Sequence, residues 1–353
     1  MSCTLVVLGA GMMGSALSVP LVDRGHQVRL VGTHLDREII TELSATGVHP
    51  KLGLALPSGI RFFQLEELAQ AMRGADAVAL GVSSAGVEWA ANTLAPLVRG
   101  DLPLLMVAKG LRFESGALVT LPQTFMAALP AHVAARVSPV AVAGPCIAGE
   151  LARRVETCVV FAGRDAAALS FWKAAAHGAY YRVWTSSDVT GVEVCAALKN
   201  AYAMGIAFGA GLHEARGGSA GSVALHNYEA AVFAQAAQEM ARLVEVAGGR
   251  RESAFGLPGV GDLDVTCNGG RTGRFGRLLG QGLTREQALA QMPDTTLECL
   301  EILEVMRQAL AAFERSGTLR VGELPLLSEL MRVALDGKPI DMPFDQFFNL
   351  SSR

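Results

Sequence analysis

The sequence predicts a two-domain protein in which a doubly wound α/β sheet precedes an all-helical C-terminal domain. Apolar, β-rich runs alternate with helical patterns through the first half of the 353-residue chain, as in sheets covered by helices on both faces. A glycine-rich turn follows the first of these runs. Beyond about residue 190, strand patterns nearly vanish and long Ala-rich amphipathic segments replace them. We therefore expect domains at residues 1–190 and 191–353.

The composition and charge favour a small molecule as the partner of this protein. The formal net charge of −3 gives no general electrostatic reason to bind nucleic acid or an anionic membrane. The apolar stretch at residues 192–212 contains Glu193, Lys199 and Asn200, which argues against a membrane span. The N-terminus has no basic segment before its short apolar run, so it does not resemble a signal peptide.

Cysteine usage favours a reducing compartment. The six cysteines are scattered, and no close pair has the spacing of a metal site. Most lie in apolar or Ala-rich runs, where a free thiol serves as a small hydrophobe. We expect a cytoplasmic protein without a bound metal.

The glycine-rich turn predicts a Rossmann-like dinucleotide site. Residues 3–8 form an apolar strand pattern, the sequence GAGMMG follows directly, and a helical pattern covers residues 15–24. In this strand–turn–helix setting, glycines allow the turn, the approach of a pyrophosphate and close helix packing, and the helix N-terminus attracts phosphate. The predicted cofactor-binding residues of this loop are Gly9, Gly11, Met12, Met13 and Gly14.

The end of the second strand leaves the choice between NAD and NADP open. No Asp or Glu occupies the position expected to bind the ribose, where the chain reads Gly32-Thr33-His34. His34 is a candidate cofactor contact. Arg37, slightly further on, either meets the 2′-phosphate of NADP or is a solvated helix residue.

Further strand patterns at residues 77–82, 104–108, 140–143 and 157–161 alternate with helical ones and support a doubly wound parallel sheet. Ligands bind beyond the carboxyl ends of such strands. Lys109 follows one strand end, so it is either a ligand residue or an ordinary surface lysine.

A lysine in an apolar helix is the main catalytic candidate. Residues 191–205 are small and apolar on nearly every face, which predicts a helix buried all round. Burial disfavours the charge of Lys199 and makes it a plausible proton donor and acceptor at neutral pH. The alternatives are a structural ion pair or a side chain that reaches the surface.

The segment at residues 256–276 is predicted to be a loop around a ligand, because it combines many glycines with polar groups. Asp262 is a candidate partner for Lys199 through a charge-assisted hydrogen bond. Arg271, beside Thr272, is suited to grip a phosphate through its planar guanidinium. The alternative is a flexible linker with a solvated arginine.

Together these motifs resemble the NAD(P)-dependent glycerol-3-phosphate dehydrogenase family. The resemblance covers nearly the whole chain, with the motifs in the family's order. They are Gly9-Ala10-Gly11 with Gly14, Lys109-Gly110, Gly144-Pro145 with Ala148 and Glu150, Glu193 with Leu198-Lys199-Asn200, Gly261-Asp262-Leu263 with Thr266-Cys267, Arg271, and Leu297-Glu298.

The resemblance implies reversible reduction of dihydroxyacetone phosphate to sn-glycerol 3-phosphate with NAD or NADP. It makes Lys199 the group that protonates the carbonyl oxygen as hydride arrives, and Lys109 a second catalytic residue near the nicotinamide. Asp262 and Thr266 then position Lys199 and the substrate hydroxyl, and Arg271 binds the phosphate. The other implied contacts are Lys109, Ala148, Arg271 and Glu298 for the cofactor, and Lys109, Gly144, Cys146, Asn200 and Thr272 for the substrate.

Departures from the family pattern keep other functions open. Thr272 replaces the usual Asn, Cys146 the frequent Ser, and Met13 a common aromatic. The family's Asn-Thr-Lys-Ala appears as residues 227–230, NYEA, and the Phe-rich tail at residues 339–348 is atypical. The alternatives are a related dehydrogenase for a different polyol phosphate, a 3-hydroxyacid or ketopantoate-type reductase, and a nucleotide-sensing protein. Helical domains of this kind often dimerise, so a homodimer is also considered.

Overall fold

A computed structural model describes residues 2–220, 225–268, 270–293, 297–320 and 322–349. The chain forms two compact units: Met1–Lys109 with Thr120–Val189, and Gly110–Val119 with Thr190–Arg353. Residues 110–119, which the sequence places in the first domain, group with the second unit.

The first unit is built around a mixed sheet. Within the described ranges its eight strands are β1 (Thr4–Leu8), β2 (Gln27–Val31), β5 (Ile60–Phe63), β6 (Ala77–Leu80), β7 (Leu102–Met106), β10 (Val137–Ala143), β11 (Thr157–Gly163) and β12 (Tyr181–Ser186). A separate pair, β3 (Val48–His49) and β4 (Leu54–Ala55), is antiparallel. The helices of this unit are α1 (Met12–Asp23), α2 (Arg37–Thr46), α3 (Leu68–Ala71), α4 (Val87–Leu94), α5 (Leu121–Ala128), α6 (Ala131–Ala134), α7 (Ala148–Ala152) and α8 (Ala166–Ala176).

The strand order confirms the predicted Rossmann-like fold. The sheet runs β12-β11-β10-β7-β6-β1-β2-β5, and the six strands from β10 to β5 are parallel. The chain reverses its direction across the sheet between β1 and β6, and a dinucleotide binds at such a switch point. The strand pattern at residues 157–161 is confirmed as part of β11, but this strand departs from the predicted parallel arrangement because it pairs antiparallel with β10.

Alternate side chains of the central strand pack on opposite faces of the sheet. Leu5 and Val7 belong to one hydrophobic core with α1 and α8, whereas Val6 and Leu8 belong to another with α4 and α5. All four are completely buried. A strand buried on both faces is therefore continuous in apolar residues rather than alternating, as the sequence shows.

In the part that the structure describes, the second unit has helices and one hairpin, formed by β8 (Leu111–Glu114) and β9 (Ala117–Thr120), whose last residue lies in the first unit. Its helices are α9 (Val189–Ala215), α10 (His226–Val246), α11 (Asp262–Cys267), α12 (Gly270–Gly280), α13 (Arg285–Ala290), α14 (Glu298–Arg315) and α15 (Pro325–Ala334). The predicted helical C-terminal region is confirmed. The amphipathic sequence pattern at residues 222–247 predicts the helix seen as α10, and the start of that pattern, Ser222, lies outside the described residues. Phe113 of the hairpin packs edge-on against Phe313 of α14, with ring centroids 5.9 Å apart.

Among its described residues, the glycine-rich segment forms helices at Leu257–Gly261, at Asp262–Cys267 and from Gly270 onward, so the prediction of a loop at residues 256–276 is wrong. A Cβ at Gly276 of α12 would lie 2.2 Å from the carbonyl oxygen of Met204 in α9, and one at Gly280 would lie 2.5 Å from that of Phe208. A Cβ at Gly211 of α9 would likewise lie 2.1 Å from the carbonyl oxygen of Arg277. These glycines let the backbones of α9 and α12 touch, which a local sequence pattern does not reveal.

Two departures from the family pattern meet in space. Tyr228 of α10 packs edge-on against Phe344 of the C-terminal tail, with ring centroids 5.3 Å apart, and Phe344 packs in turn on Phe347. Gln235 of α10 also accepts a hydrogen bond from the backbone N–H of Phe348, at 3.0 Å. The aromatic tail and Tyr228 thus form one packing cluster.

None of the described helices combines the length and the apolar character needed to cross a membrane.

We predict that Gly276→Ala destabilises the protein, although alanine normally stabilises a helix interior by about 1 kcal/mol relative to glycine. The added methyl group would press on a backbone oxygen, and such overpacking costs about 1–3 kcal/mol. Chemical denaturation measures the change. The control is Gly100→Ala, where a Cβ would meet nothing within 4 Å. Equal stability of the two variants would contradict the close packing of α9 and α12.

Candidate active site

The glycine-rich loop after β1 has the shape of a phosphate-binding turn. Gly9 adopts φ +114°, and a Cβ there would lie 2.6 Å from the carbonyl carbon of Gly81. A Cβ at Gly14 would lie 2.1 Å from the carbonyl oxygen of Gly9. Met12, Met13 and Gly14 open α1, whose first N–H groups have no partner within the helix and attract an anion. The cradle therefore fits a dinucleotide pyrophosphate.

Two buried residues that hydrogen-bond this loop, Asp36 and His49, were not identified from the sequence. The Asp36 carboxylate accepts a hydrogen bond from the backbone N–H of Ala10, and the His49 ring bonds the Ala10 carbonyl. Gly81, which follows β6, was also missed, although a glycine directly after a strand is a recognisable signal. Nothing in the local sequence distinguishes His49.

The residues expected near the adenosine ribose are exposed. His34 packs edge-on against Trp89, with ring centroids 5.2 Å apart. Arg37 forms an ion pair with Glu66, and both side chains are 63% exposed. In this structure Arg37 is therefore a paired surface residue.

The remaining predicted residues of the first unit follow the carboxyl ends of its parallel strands. Lys109 comes three residues after β7 and is half-buried. Gly144 follows β10 directly with φ +120°, Cys146 is half-buried, and Ala148 begins α7. The first unit thus gathers them along the edge that carries the glycine-rich loop.

In the second unit Lys199 is buried in α9 and forms an ion pair with Asp262. The exposed fractions of the two side chains are only 11% and 1%. The side chains also share a hydrogen bond donated by the Lys199 Nζ, so the contact expected from the sequence is confirmed. Such a pair is retained inside a protein because each charge compensates the other.

Local structure fixes the position of Asp262. It is the first residue of α11, where the helix dipole favours a negative charge, and a π-helical turn at Leu257–Gly261 precedes it. A Cβ at Gly259 would lie 2.0 Å from the Ala254 carbonyl oxygen, so only glycine allows this turn. One helical turn later, the Thr266 hydroxyl donates to the Asp262 backbone carbonyl at 2.6 Å.

Glu298 links two other predicted residues. The Asn200 side chain, which is buried beside Lys199, donates a hydrogen bond to one Glu298 oxygen at 2.9 Å. The Arg271 guanidinium lies 3.7 Å from the other oxygen, with 56% of its side chain exposed. Arg271 is therefore an accessible cation at the start of α12.

Thr272 and the nearby thiols face the interior. Thr272 is buried and hydrogen-bonds the Cys299 thiol. Burial raises the pKa of both Cys267 and Cys299 to about 12. Both thiols are therefore protonated at neutral pH and are unsuited to act as nucleophiles.

The predicted site residues form two sets, one in each unit. The first set surrounds the glycine-rich loop and fits a dinucleotide. The second combines a buried amine–carboxylate pair, an amide and an exposed guanidinium. This second set can exchange a proton and bind an anion, which are the tasks that accompany hydride transfer to a phosphorylated carbonyl compound.

Comparison with known proteins agrees with this chemistry. Residues 4–169 match the family model for the N-terminus of NAD-dependent glycerol-3-phosphate dehydrogenase, and residues 188–344 match the model for its C-terminus. The chain is 36% identical over 335 residues to an NADP(+)-dependent glycerol-3-phosphate dehydrogenase of Archaeoglobus fulgidus, which covers 95% of this chain and 96% of the relative. It is 32% identical to a glycerol-3-phosphate dehydrogenase [NAD(P)+] of Geobacter metallireducens, over 94% and 93% of the two chains.

Solved structures support the same relationship. The structure of a glycerol-3-phosphate dehydrogenase from Coxiella burnetii matches 98% of each chain with a TM-score of 0.78 and 25% identity. A ketopantoate reductase from Ralstonia eutropha matches 94% of this chain and 99% of its own, but with a TM-score of only 0.53 and 17% identity, which is a likeness of fold alone. Together, the two family models and these relatives show that the chain belongs to the NAD-dependent glycerol-3-phosphate dehydrogenase family, whose members are NAD(P)-dependent oxidoreductases acting on a CH–OH group.

Proposed function

We propose that this protein interconverts dihydroxyacetone phosphate and sn-glycerol 3-phosphate with NAD or NADP. The observation that carries the proposal is the buried ion pair between Lys199 and Asp262, set beside the amide of Asn200. The names of the relatives indicate the substrate, and the phosphate-binding turn supports the cofactor.

Lys199 is proposed to move the proton of the reaction. The bound nicotinamide supplies or accepts the hydride. The Lys199 Nζ then gives a proton to the carbonyl oxygen during reduction and takes it back during oxidation. Asp262 holds the amine in place, and the apolar surroundings of α9 keep water from competing.

Arg271 is proposed to bind the substrate phosphate. Its guanidinium is exposed and offers a planar fork of donors. Asn200 and Thr266 are proposed to orient the substrate, and Thr272 to line the site. In the first unit, Lys109 is proposed to polarise the carbonyl, with Gly144 and Cys146 as further substrate contacts.

A related dehydrogenase activity on a different polyol phosphate is the second candidate. Thr272 stands where the family usually has Asn, and its side chain is buried against Cys299. The Thr272 hydroxyl therefore points into the protein interior. An asparagine at this position would have a longer polar side chain.

The direct test follows oxidation of NADH and NADPH by absorbance, with dihydroxyacetone phosphate beside a panel of polyol-derived phosphates and oxo acids. We expect the fastest turnover with dihydroxyacetone phosphate. Faster turnover of another phosphate would support the second candidate. Turnover of oxo acids alone would favour a hydroxyacid reductase, and cofactor binding without any turnover would indicate a sensing protein. The homodimer and the cytoplasmic location stay predictions, to be tested by analytical ultracentrifugation and by fractionation of the host cell.

Lys199→Ala is expected to lower kcat by at least about a hundredfold and to leave the cofactor Kd unchanged, because the amine acts in proton transfer. The substitution also strands a buried carboxylate, so the double variant Lys199→Met with Asp262→Asn restores a neutral pair. Lys173→Ala, on α8 of the other unit, is the control. A folded double variant that keeps most of the wild-type rate would refute the role of Lys199.

Arg271→Ala is expected to raise KM for dihydroxyacetone phosphate about ten- to a hundredfold, because a charge-assisted hydrogen bond to phosphate is lost. The matched control is Arg274→Ala on the same helix, where the guanidinium bonds the backbone oxygen of Gln291. Initial rates over a range of substrate concentrations measure both. An unchanged KM for Arg271→Ala would contradict phosphate binding by this residue.

Glu298→Gln is expected to lower KM for the phosphorylated substrate about two- to fivefold. Glu298 competes with phosphate for Arg271, and an exposed ion pair contributes only about 0–1 kcal/mol. The glutamine oxygen still accepts from Asn200. This decrease in KM should vanish in an Arg271→Ala background. A decrease that persists there would show that Glu298 does not act through Arg271. A higher KM for the cofactor would support the predicted contact between Glu298 and the dinucleotide.

A further inference from the structure

Buried side chains hold both backbone polar groups of Ala10 in the glycine-rich loop, its N–H and its carbonyl. We propose that Asp36 and His49 are positioning residues that hold this loop ready for the pyrophosphate of the cofactor. This inference rests on the dinucleotide site of the proposed function and is independent of the substrate.

Asp36 is the first acidic residue after β2, yet its carboxylate points at the protein. One oxygen accepts hydrogen bonds from the Thr33 N–H at 2.9 Å, the Thr33 hydroxyl at 2.8 Å and the Ala10 N–H at 3.1 Å. The residue is only 9% exposed. Its carboxylate thus joins the loop after β2 to the loop after β1.

The Asp36 carboxylate does not make the helix-capping hydrogen bond that is common at its position. Asp36 stands at the N-cap position of α2, where an aspartate normally accepts a hydrogen bond from the first turn of its own helix. The structure shows no such bond. Gly32 allows the arrangement, because a Cβ there would lie 2.7 Å from the Ile40 side chain and 3.3 Å from the Asp36 Cβ.

His49 holds the carbonyl of the same residue, Ala10. It is fully buried, and its Nδ1 accepts hydrogen bonds from the N–H groups of Lys51 at 3.2 Å and Leu52 at 3.1 Å. Since Nδ1 is an acceptor, the ring proton is on Nε2, which donates to the Ala10 carbonyl at 2.9 Å. The Ser15 hydroxyl donates to this same carbonyl at 3.1 Å.

The opposite side of the loop is held by backbone contact. A Cβ at Gly81 would lie 2.7 Å from the Gly9 carbonyl oxygen and 2.8 Å from the Gly14 Cα. The loop is therefore fixed between Gly81 on one side and Asp36 with His49 on the other. A phosphate that binds N–H groups already in place does not have to order them, which strengthens binding.

The same contacts distinguish two roles for Asp36, positioning of the loop and binding of the cofactor ribose. A dinucleotide site selective for NAD uses a carboxylate at this end of the sheet to bind the ribose 2′-hydroxyl. Here the Asp36 oxygen is occupied by three protein donors, and His34 stands exposed nearby. Three protein donors on one Asp36 oxygen therefore favour a positioning role for Asp36 over ribose binding.

The test measures Kd for NADH and NADPH by fluorescence titration without substrate. We expect Asp36→Ala and His49→Ala each to weaken both cofactors about tenfold and by similar factors. We expect kcat at saturating cofactor to change less than twofold, because these residues do not touch the reacting atoms. His49→Asn keeps an acceptor for the Lys51 and Leu52 turn and is the second variant should His49→Ala fail to fold.

The chain offers matched controls in the same unit. Asp23 also accepts three hydrogen bonds, two from Arg154 and one from Tyr180, at the far end of α1 from the loop. His26 accepts from the Cys3 N–H through Nδ1 and bonds the Ala175 carbonyl through Nε2, the same pattern as His49. Asp23→Ala and His26→Ala should lower Tm yet leave both Kd values within about twofold of wild type.

Two results would overturn the inference. Selective weakening of NADH by Asp36→Ala would make Asp36 a ribose ligand. Losses of cofactor affinity no larger than those of the control variants would show that the contacts to Ala10 serve stability alone. Neither result depends on which carbonyl compound the enzyme reduces, so failure of the substrate assignment is seen separately.

Discussion

The buried ion pair between Lys199 and Asp262 is the interaction on which the helical unit depends most. Removing one charged partner from such a pair typically costs about 3–5 kcal/mol, because the other charge is left without compensation in an apolar interior. Helix α9 supplies that interior, since it is buried along most of its length. The π-helical turn before α11 brings Asp262 to the amine. This ion pair therefore stabilises the fold, and its amine, Lys199, is also the group proposed to move the proton.

Close backbone contact between α9 and α12 is the second constraint. Gly211, Gly276 and Gly280 allow it, and a methyl group at any of these positions would meet a backbone atom. This contact ties Arg271, near the start of α12, to Asn200 on α9, and Glu298 bridges the two side chains. Packing rather than loop flexibility therefore sets the distance between the groups that are proposed to bind the anion and to transfer the proton.

In the first unit, close backbone contact and buried polar groups likewise hold the glycine-rich loop. This loop is held by glycine contacts on one side and by Asp36 and His49 on the other. In both units an irregular segment is fixed by buried polar groups whose hydrogen bonds are satisfied, so it does not need to be ordered when a ligand arrives. Rigid placement of the reacting groups is what hydride transfer requires.

The sequence by itself determined the Rossmann-like unit, the helical unit and the buried lysine, because these follow from local periodicity and from the setting of a short motif. It also identified Asp262 as the partner of Lys199. Tertiary structure decided the helical state of Leu257–Gly261, Asp262–Cys267 and Gly270–Gly280, the reversed direction of β11, and the contacts of Asp36 and His49 with Ala10. Glycine by its own conformational preference favours a loop. It is favoured inside a helix only where a neighbouring helix packs so closely that no side chain fits. Long-range contacts of this kind leave no pattern along the chain.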